Sequence, residues 1–196
     1  MLKVYDYAVT FAEFPDEISL SVNISNCPGN CGHVDESGKF ILDCSEPWLL
    51  EDVGEELTEE KIDELIREHS DITVFGLMGG DSDHDDVVRI ANYIHSQYTD
   101  IKVGMYSGRE YMSTKLLNCL DLYKIGRWIM PKGKPEEWHQ TNNGVLQFPW
   151  SNQLLFEKLN TKDGESWVNT TYKFRKEKVG DPLRYIIQPE DKKDSM

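Results

Sequence analysis

Residues 72–81 read ITVFGLMGGD. The first seven form an unbroken apolar run, which suits a strand covered on both faces, and Gly79-Gly80-Asp81 ends it as a turn. Upstream, residues 17–25, EISLSVNIS, alternate Ile18, Leu20, Val22 and Ile24 with polar residues. That alternation predicts a strand with one buried face. Between the two, Thr58 is placed to cap a helix, with Leu57 and Ile62 as a hydrophobic staple. Ile62, Leu65 and Ile66 give that helix its inward stripe. Downstream of the turn, Val87, Ile90, Ala91 and Ile94 mark a second helix. Residues 101–106 predict another strand, 111–120 a third helix and 122–126 a short strand. Strands alternating with helices of this length imply βαβ units, a parallel sheet and the α/β class.

The chain has 196 residues, one domain with something appended by the usual measure of about 150 per domain. From about Asn160 the composition changes. There WVNTTYKF (167–174) and LRYIIQPE (183–190) predict two strands of a β-hairpin joined by a Gly-Asp-Pro turn, and a frayed tail follows from about Glu190. There is no internal repeat and no low-complexity tract.

Lys and Arg number 21 against 35 Asp and Glu, a net charge of −14. Such a balance opposes a nucleic-acid binder, which needs a basic face for phosphates, and opposes docking on an anionic membrane. No apolar run has the length of a bilayer span, and the first 25 residues lack a secretory signal pattern. The expectation is a cytoplasmic protein, in which the glycosylation-type triplets at Asn23 and Asn169 are accidental. Four cysteines in such a chain point to metal binding or catalysis rather than disulfides.

Cys27, Cys31 and Cys44 are spaced C-x3-C-x12-C directly after the first predicted strand. Pro28, Gly29, Asn30 and Gly32 make the start of this loop a tight turn that aims two thiols at one point. Thiolates select soft metals, zinc or iron–sulfur. A structural zinc site needs a fourth ligand, for which His33 is the candidate. A cluster held by three cysteines leaves one iron open. Cys119 falls among Leu116, Leu117 and Leu120 and reads as helix packing. His84 and His95 read as solvated or helix-packing residues and Arg109 as a surface charge. No Ser/His/Asp or Cys/His arrangement is evident, and Gly79-Gly80 lacks the Gly-Lys-Ser of a phosphate-binding loop.

The ordered series FAEFPDEISLSVNISNCPGNC (11–31), CSEPWLLEDVGEELT (44–58), FGLMGGDSDHDD (75–86), KVGMYSGRE (102–110), LYKIGRW (122–128) and GVLQFPWSNQLLF (144–156) resembles the radical S-adenosylmethionine superfamily. More narrowly, it resembles the activating proteins of anaerobic (class III) ribonucleoside-triphosphate reductase. The match runs over residues 5–156, roughly three quarters of the chain, and nothing similar is evident after Asn160. The resemblance implies a partial (βα) barrel over residues 1–159, with 160–196 a C-terminal extension of unassigned role. It implies a [4Fe–4S] cluster on Cys27, Cys31 and Cys44, and S-adenosylmethionine chelated by its amino and carboxylate groups at the open iron. Reductive cleavage of the cofactor yields a 5′-deoxyadenosyl radical, which takes a Cα hydrogen from a glycine of the reductase. In the family the third cysteine follows the second after two residues. Here residues 33–42 are inserted and Cys44 stands in its place, with Asp43 where an apolar or aromatic residue lies by the adenine. The implied cofactor contacts are Asp43, Gly79, Gly80, Asp81, which accepts from the methionine ammonium, and Ser107, with Ser107 and Gly108 ending their strand at the same pocket.

The implied partners are the large subunit of the anaerobic reductase and a small electron donor such as flavodoxin. Trp128, Trp138 and Trp150 fall in the late segment where the family meets its substrate protein, though packing is the expected role of each. Two other functions suit the same residues. One is a radical enzyme of the same superfamily acting on another protein. The other is a non-catalytic scaffold holding zinc through Cys27, Cys31, His33 and Cys44.

Overall fold

The computed structural model describes residues 1–128, 139–140, 146–147, 153–174 and 187–188. In chain order the elements are β1 (Lys3–Thr10), β2 (Ser19–Ile24), β3 (Gly32–Val34), β4 (Phe40–Leu42), β5 (Glu55–Glu56), α1 (Glu59–Glu68) and β6 (Val74–Met78). Then come α2 (His84–Gln97), β7 (Lys102–Tyr106), β8 (Met112–Ser113), β9 (Leu122–Ile125), β10 (His139–Gln140), β11 (Leu146–Gln147), β12 (Leu154–Thr161), β13 (Gly164–Asn169) and β14 (Ile187–Gln188). Eight strands form one mixed sheet in the order β13-β12-β9-β7-β6-β2-β1-β5. Its centre, β2-β6-β7-β9, is parallel and follows the order of the chain. The flanking strands β1 and β12 are antiparallel to it. The α/β class expected from the sequence is therefore present.

The first helix starts at the expected cap, Thr58, and the second at a cap the apolar stripe did not name, Asp83. The Thr58 side chain accepts from the Lys61 N–H at the start of α1, and Asp83 accepts from the Asp86 N–H at the start of α2. Alternation along each central strand sends side chains to two different destinations. Leu20, Val22, Ile24, Phe75, Leu77, Val103, Met105, Tyr123 and Ile125 join the helix residues Ile62, Leu65, Val87, Ile90 and Ile94 in the main core. On the opposite face a small apolar floor, Phe14, Val74, Leu122, Leu155 and Phe174, closes the amino-terminal half of the sheet. Phe14 lies over the register pair Gly76 and Gly104, where an added Cβ would stand 2.7 and 2.5 Å from its ring. The two glycines let an aromatic ring reach the sheet backbone. The carboxyl-terminal half of this face carries Ser21, Asn23, Met78, Tyr106 and Lys124 and borders a cavity.

Several expectations need correction. β2 has one apolar and one polar face as predicted, but as an inner strand its polar Ser19 and Ser21 are buried too. β1 was not foreseen, because Tyr5, Tyr7 and Val9 are exposed at an edge and leave no clear core pattern. Residues 111–120 are not a helix. The segment is β8 followed by a single 3-10 turn, Leu116–Asn118. Met112, Ser113, Leu116, Cys119 and Leu120 are all buried, so tertiary packing outweighs the helical spacing of the leucines. Cys119 does pack in the core as expected, and burial pushes its thiol up to about 11. The expected pairing of 167–174 with 183–190 is not found among the described residues; a different hairpin forms earlier in the chain. It pairs β12 with β13 around Lys162-Asp163 and Gly164, whose φ of 108° suits the turn. Residues 171–173 form a 3-10 turn, and Ile187–Gln188 pair in parallel with Met112–Ser113. The Gly-Asp-Pro turn lies outside the described residues. The change in composition near Asn160 falls inside β12, which is hydrogen-bonded to β9 of the central sheet. Among the described residues no helix is long and apolar enough to cross a membrane.

Candidate functional site

The chain leaves β2 through Asn26, which adopts a left-handed φ of 57°. Its N–H donates to Glu51 O and the Cys27 N–H donates to Leu49 O, both at 2.9 Å. These two bonds anchor the cysteine loop to the strand end. Gly29, at φ 74°, turns the chain so that its N–H reaches the Cys27 sulfur. Cys31 Sγ accepts the Trp128 N–H at 3.1 Å.

Residues 32–42 are an ordered antiparallel hairpin, β3–β4, not an irregular loop. Gly32 is obligatory there, since a Cβ would meet Ile41 O at 2.2 Å. At the tip Asp35 accepts the Ser37 and Lys39 N–H groups. At the base the Asp43 N–H donates to Cys31 O at 3.0 Å. The hairpin thus closes on itself and returns the chain to Cys31 just before Cys44.

Cys27, Cys31 and Cys44 all border one cavity of about 560 Å³ at the carboxyl ends of β2, β6, β7 and β9. Open α/β sheets bind ligands at this end of their strands. Burial pushes the Cys27 thiol up to about 11 and raises Cys31, against the lowering effect of the N–H groups of Gly29 and Trp128. A metal would reverse this, since coordination deprotonates a thiol outright. The donor set fits an iron–sulfur cluster: three soft ligands around one cavity. Among the described residues no three His, Cys, Asp or Glu side chains converge on a single ion-sized point. His33, the candidate fourth zinc ligand, does not line the cavity. Its ring meets the Asp43 carboxylate on the hairpin, and its side chain is 52% exposed.

The remaining expected residues divide. Gly79, Asp81 and Ser107 line the cavity. Gly80 does not; a Cβ there would point into the main core, 2.9 Å from Val87. Asp43 directs its carboxylate to His33 instead of the cavity, because the hairpin ladder that positions its N–H on Cys31 turns its side chain outward. Asp81, only 7% exposed, is held on all sides. The Ser107 hydroxyl donates to Oδ1 at 2.7 Å and the Gly108 N–H to Oδ2 at 2.8 Å. Arg109, expected as a surface charge, instead places Nε 3.6 Å from Asp81 Oδ1 and donates from Nη2 to Asp81 O. His84 is buried beside the same carboxylate at 3.5 Å. His95 pairs with Asp121 at 2.8 Å. Asp81 therefore ties the turn after β6 to the turn after β7. That second turn stands against Cys31, whose sulfur a Cβ on Gly108 would approach to 3.6 Å.

Sequence reasoning missed Lys124 and Ser21. Lys124 Nζ sits 4.0 Å from the Tyr106 ring centroid and 4.9 Å from that of Phe174, a cation–π arrangement. Among the described residues it has no ion pair or hydrogen bond. Burial pushes its ammonium down to about 8, although Glu13 opposes the shift. Its signal was present: one lysine at an inward position of the short strand LYKI. Among the described residues the Ser21 hydroxyl and Trp128 Nε1 are buried without a hydrogen-bond partner. Of the late motif, Gln153 lines the cavity and donates to Gly126 O at 3.0 Å. Ser151, Asn152, Trp138 and Trp150 lie outside the described residues. Comparison of the chain with protein-family models, with curated proteins and with solved structures found no match.

Proposed function

We propose that this chain is a small radical S-adenosylmethionine enzyme that installs a glycyl radical on anaerobic ribonucleoside-triphosphate reductase. One observation carries the reading. Three cysteines from a single loop after the first parallel strand open, with Gly79, Asp81 and Ser107, on one cavity. The architecture supports it as well. Four parallel strands in chain order, with both helices packed in the main core, are compatible with a partial (βα) barrel.

Cys27, Cys31 and Cys44 would hold a [4Fe–4S] cluster, and when bound it supplies the single electron that cleaves the cofactor's sulfonium. The protein's own residues do the positioning. The Asp81 clamp fixes the turns after β6 and β7 against Cys31. Gly79 keeps the end of β6 free of a side chain, so a ligand can approach the backbone. The cavity is too small to enclose a large substrate, which suits a glycine presented on a loop of another protein. The reductase large subunit is that protein in this reading, and a flavodoxin-type protein delivers the electron.

The test is 5′-deoxyadenosine formation by protein reconstituted anaerobically with iron and sulfide, reduced, and given S-adenosylmethionine. The nucleoside should form, and should be lost in Cys27→Ala and Cys44→Ala proteins. Cluster-loaded protein that forms none would overturn the reading. One tightly held zinc without sulfide would replace it with the scaffold.

A further inference from the structure

Near one end of the sheet, β1 is bare along most of its length. It pairs with β2 from Val4 to Thr10, but on its other side β5 meets only Lys3 and Val4. From Asp6 to Thr10 every second residue therefore turns its N–H and C=O away from β2, and among the described residues no strand meets them there. An open edge is a template for another strand, and proteins blunt it with lysine, proline or a bulge. The segment DYAVT (6–10) has no lysine and no proline, and the one irregularity of β1, between Val4 and Asp6, comes before it.

The two faces of this edge differ. Residues paired across antiparallel strands share a face. Tyr7 and Val9 oppose Val22 and Leu20 on the helix face, yet they remain 38% and 42% exposed. Asp6, Ala8 and Thr10 oppose Asn23, Ser21 and Ser19 on the other face, where Ala8 and Thr10 line the cavity. A strand added here alternates in the same way. One set of its side chains packs beside Tyr7 and Val9, and the other stands on the cavity side.

Charge decides what that second set carries. Glu13 and Glu46 line the cavity, and burial together with the Asp6 and Glu13 charges holds the Glu46 carboxyl above its ordinary range. Among the described residues none of these three carboxylates has an ion pair. A cation on the added strand relieves their repulsion, whereas a second copy of this chain, itself at −14, adds to it.

We infer that the bare edge of β1 receives an extended, basic segment of the partner polypeptide as an added strand, with an Arg or Lys side chain directed at Asp6 and Glu46. The inference rests on the function proposed above only in identifying that segment as the one with the target glycine. The main-chain bonds of such a strand lie on the outer side of β1, whereas the cofactor is assigned to the ends of β2, β6, β7 and β9.

The test measures binding of acetyl-Val-Arg-Val-Gly-Val-Arg-Val-amide to the full chain by calorimetry, with amide hydrogen exchange read by mass spectrometry. The side chains of this peptide read the same in both directions, so either orientation brings an Arg to the acidic end. Binding should slow exchange in residues 5–11 and leave the opposite edge strand, β13, unchanged. A counterpart with Gln for Arg should bind about tenfold more weakly, the worth of one hydrogen bond between charged groups. Glu46→Gln protein should lose the same factor for the Arg peptide and none for the Gln peptide. A counterpart N-methylated at every residue keeps the side chains but cannot pair, and should not bind. No binding by the Arg peptide, equal binding by the N-methylated one, or protection at β13 instead of β1 overturns strand addition. Equal affinity for the Arg and Gln peptides overturns the basic residue. Displacement of the peptide by S-adenosylmethionine overturns its separation from the cofactor. Binding and protection at β1 in a protein that forms no 5′-deoxyadenosine would retain the added strand and discard the radical reading. Nucleoside formation without peptide binding would do the reverse.

Discussion

The two faces of the central sheet are built from alternate residues of the same four strands, yet they have opposite character. The helix face is continuous aliphatic and aromatic packing: Leu77, Val103, Met105 and Ile125 against Val87, Ile90 and Ile94. The other face is interrupted. Two glycines admit one phenylalanine, the Ser21 hydroxyl has no hydrogen-bond partner among the described residues, Lys124 rests on two rings, and the carboxyl-terminal half opens into a cavity. One face holds the chain together, while the other gives up packing to keep room for a ligand. Asp81 and Lys124 repeat the contrast within the cavity. Asp81 accepts the Ser107 hydroxyl and the Gly108 N–H and has the Arg109 guanidinium beside it. Lys124 has only two ring faces. A charge met by donors positions the backbone that supplies them, and one met by ring faces does not.

The largest effect should come from breaking the packed face. Leu77→Ala removes a fully buried side chain from the main core and should cost about 2–5 kcal/mol of stability. Urea unfolding checks it, and iron uptake by the cysteines should survive below the unfolding midpoint. A smaller effect should come from the floor. Gly104→Ala puts a Cβ 2.5 Å from the Phe14 ring, overpacking that costs about 1–3 kcal/mol. The double variant with Phe14→Leu should recover part of the loss, and thermal denaturation of the pair reads the coupling.

The smallest effect sharpens the contrast by pH. Burial holds the Lys124 ammonium at about 8, below the ordinary 10.5 of a lysine. Between those values the unfolded chain binds the proton and the folded chain has released it, so this residue's contribution to stability rises with pH there. Below about 8 both states are protonated and the full cost of burying the charge is present. Lys124→Met should abolish that rise. The difference in urea midpoint between wild type and variant, followed from pH 7 to 10, isolates it from the cysteines and tyrosines that also titrate. A difference that does not change with pH would mean the ammonium is fully solvated.

Much of the fold was legible because it rests on local signals. Thr58 and Asp83 cap their helices through contacts three residues long. The apolar stripe of α2 and the run at β6 identify themselves by spacing alone. The failures share a physical origin. Residues 111–120 carry leucines at helical intervals, but the segment is enclosed from several sides and takes the conformation its neighbours allow. β1 pairs along its length with β2 but with β5 only at Lys3 and Val4, so Tyr5, Tyr7 and Val9 lie along an open edge and show no core pattern.

The candidate site divides in the same way. The cysteine spacing and the Gly-Gly-Asp turn were readable as chemistry. Asp43 and Gly80 were not, because their side-chain directions are set by the β3–β4 ladder and by the packing of α2 on β7. Lys124 was marked only by its inward position in the strand LYKI, since a lysine's exposure is decided by what folds over it. Here Phe174, fifty residues later in the chain, covers it.

The sequence by itself determined the α/β class, both helices with their caps, the central parallel strands and a loop of three thiols. Each follows from interactions among residues close in the chain, where geometry is fixed by backbone period and capping. Only the tertiary structure decided that the thiols, Asp81, Ser21 and Lys124 share one cavity. It also decided that Asp81 is met by hydrogen-bond donors while Lys124 is met by ring faces. Those outcomes depend on which strands become neighbours and which loops cover their ends, a choice made by burial of the whole chain and not by any one segment.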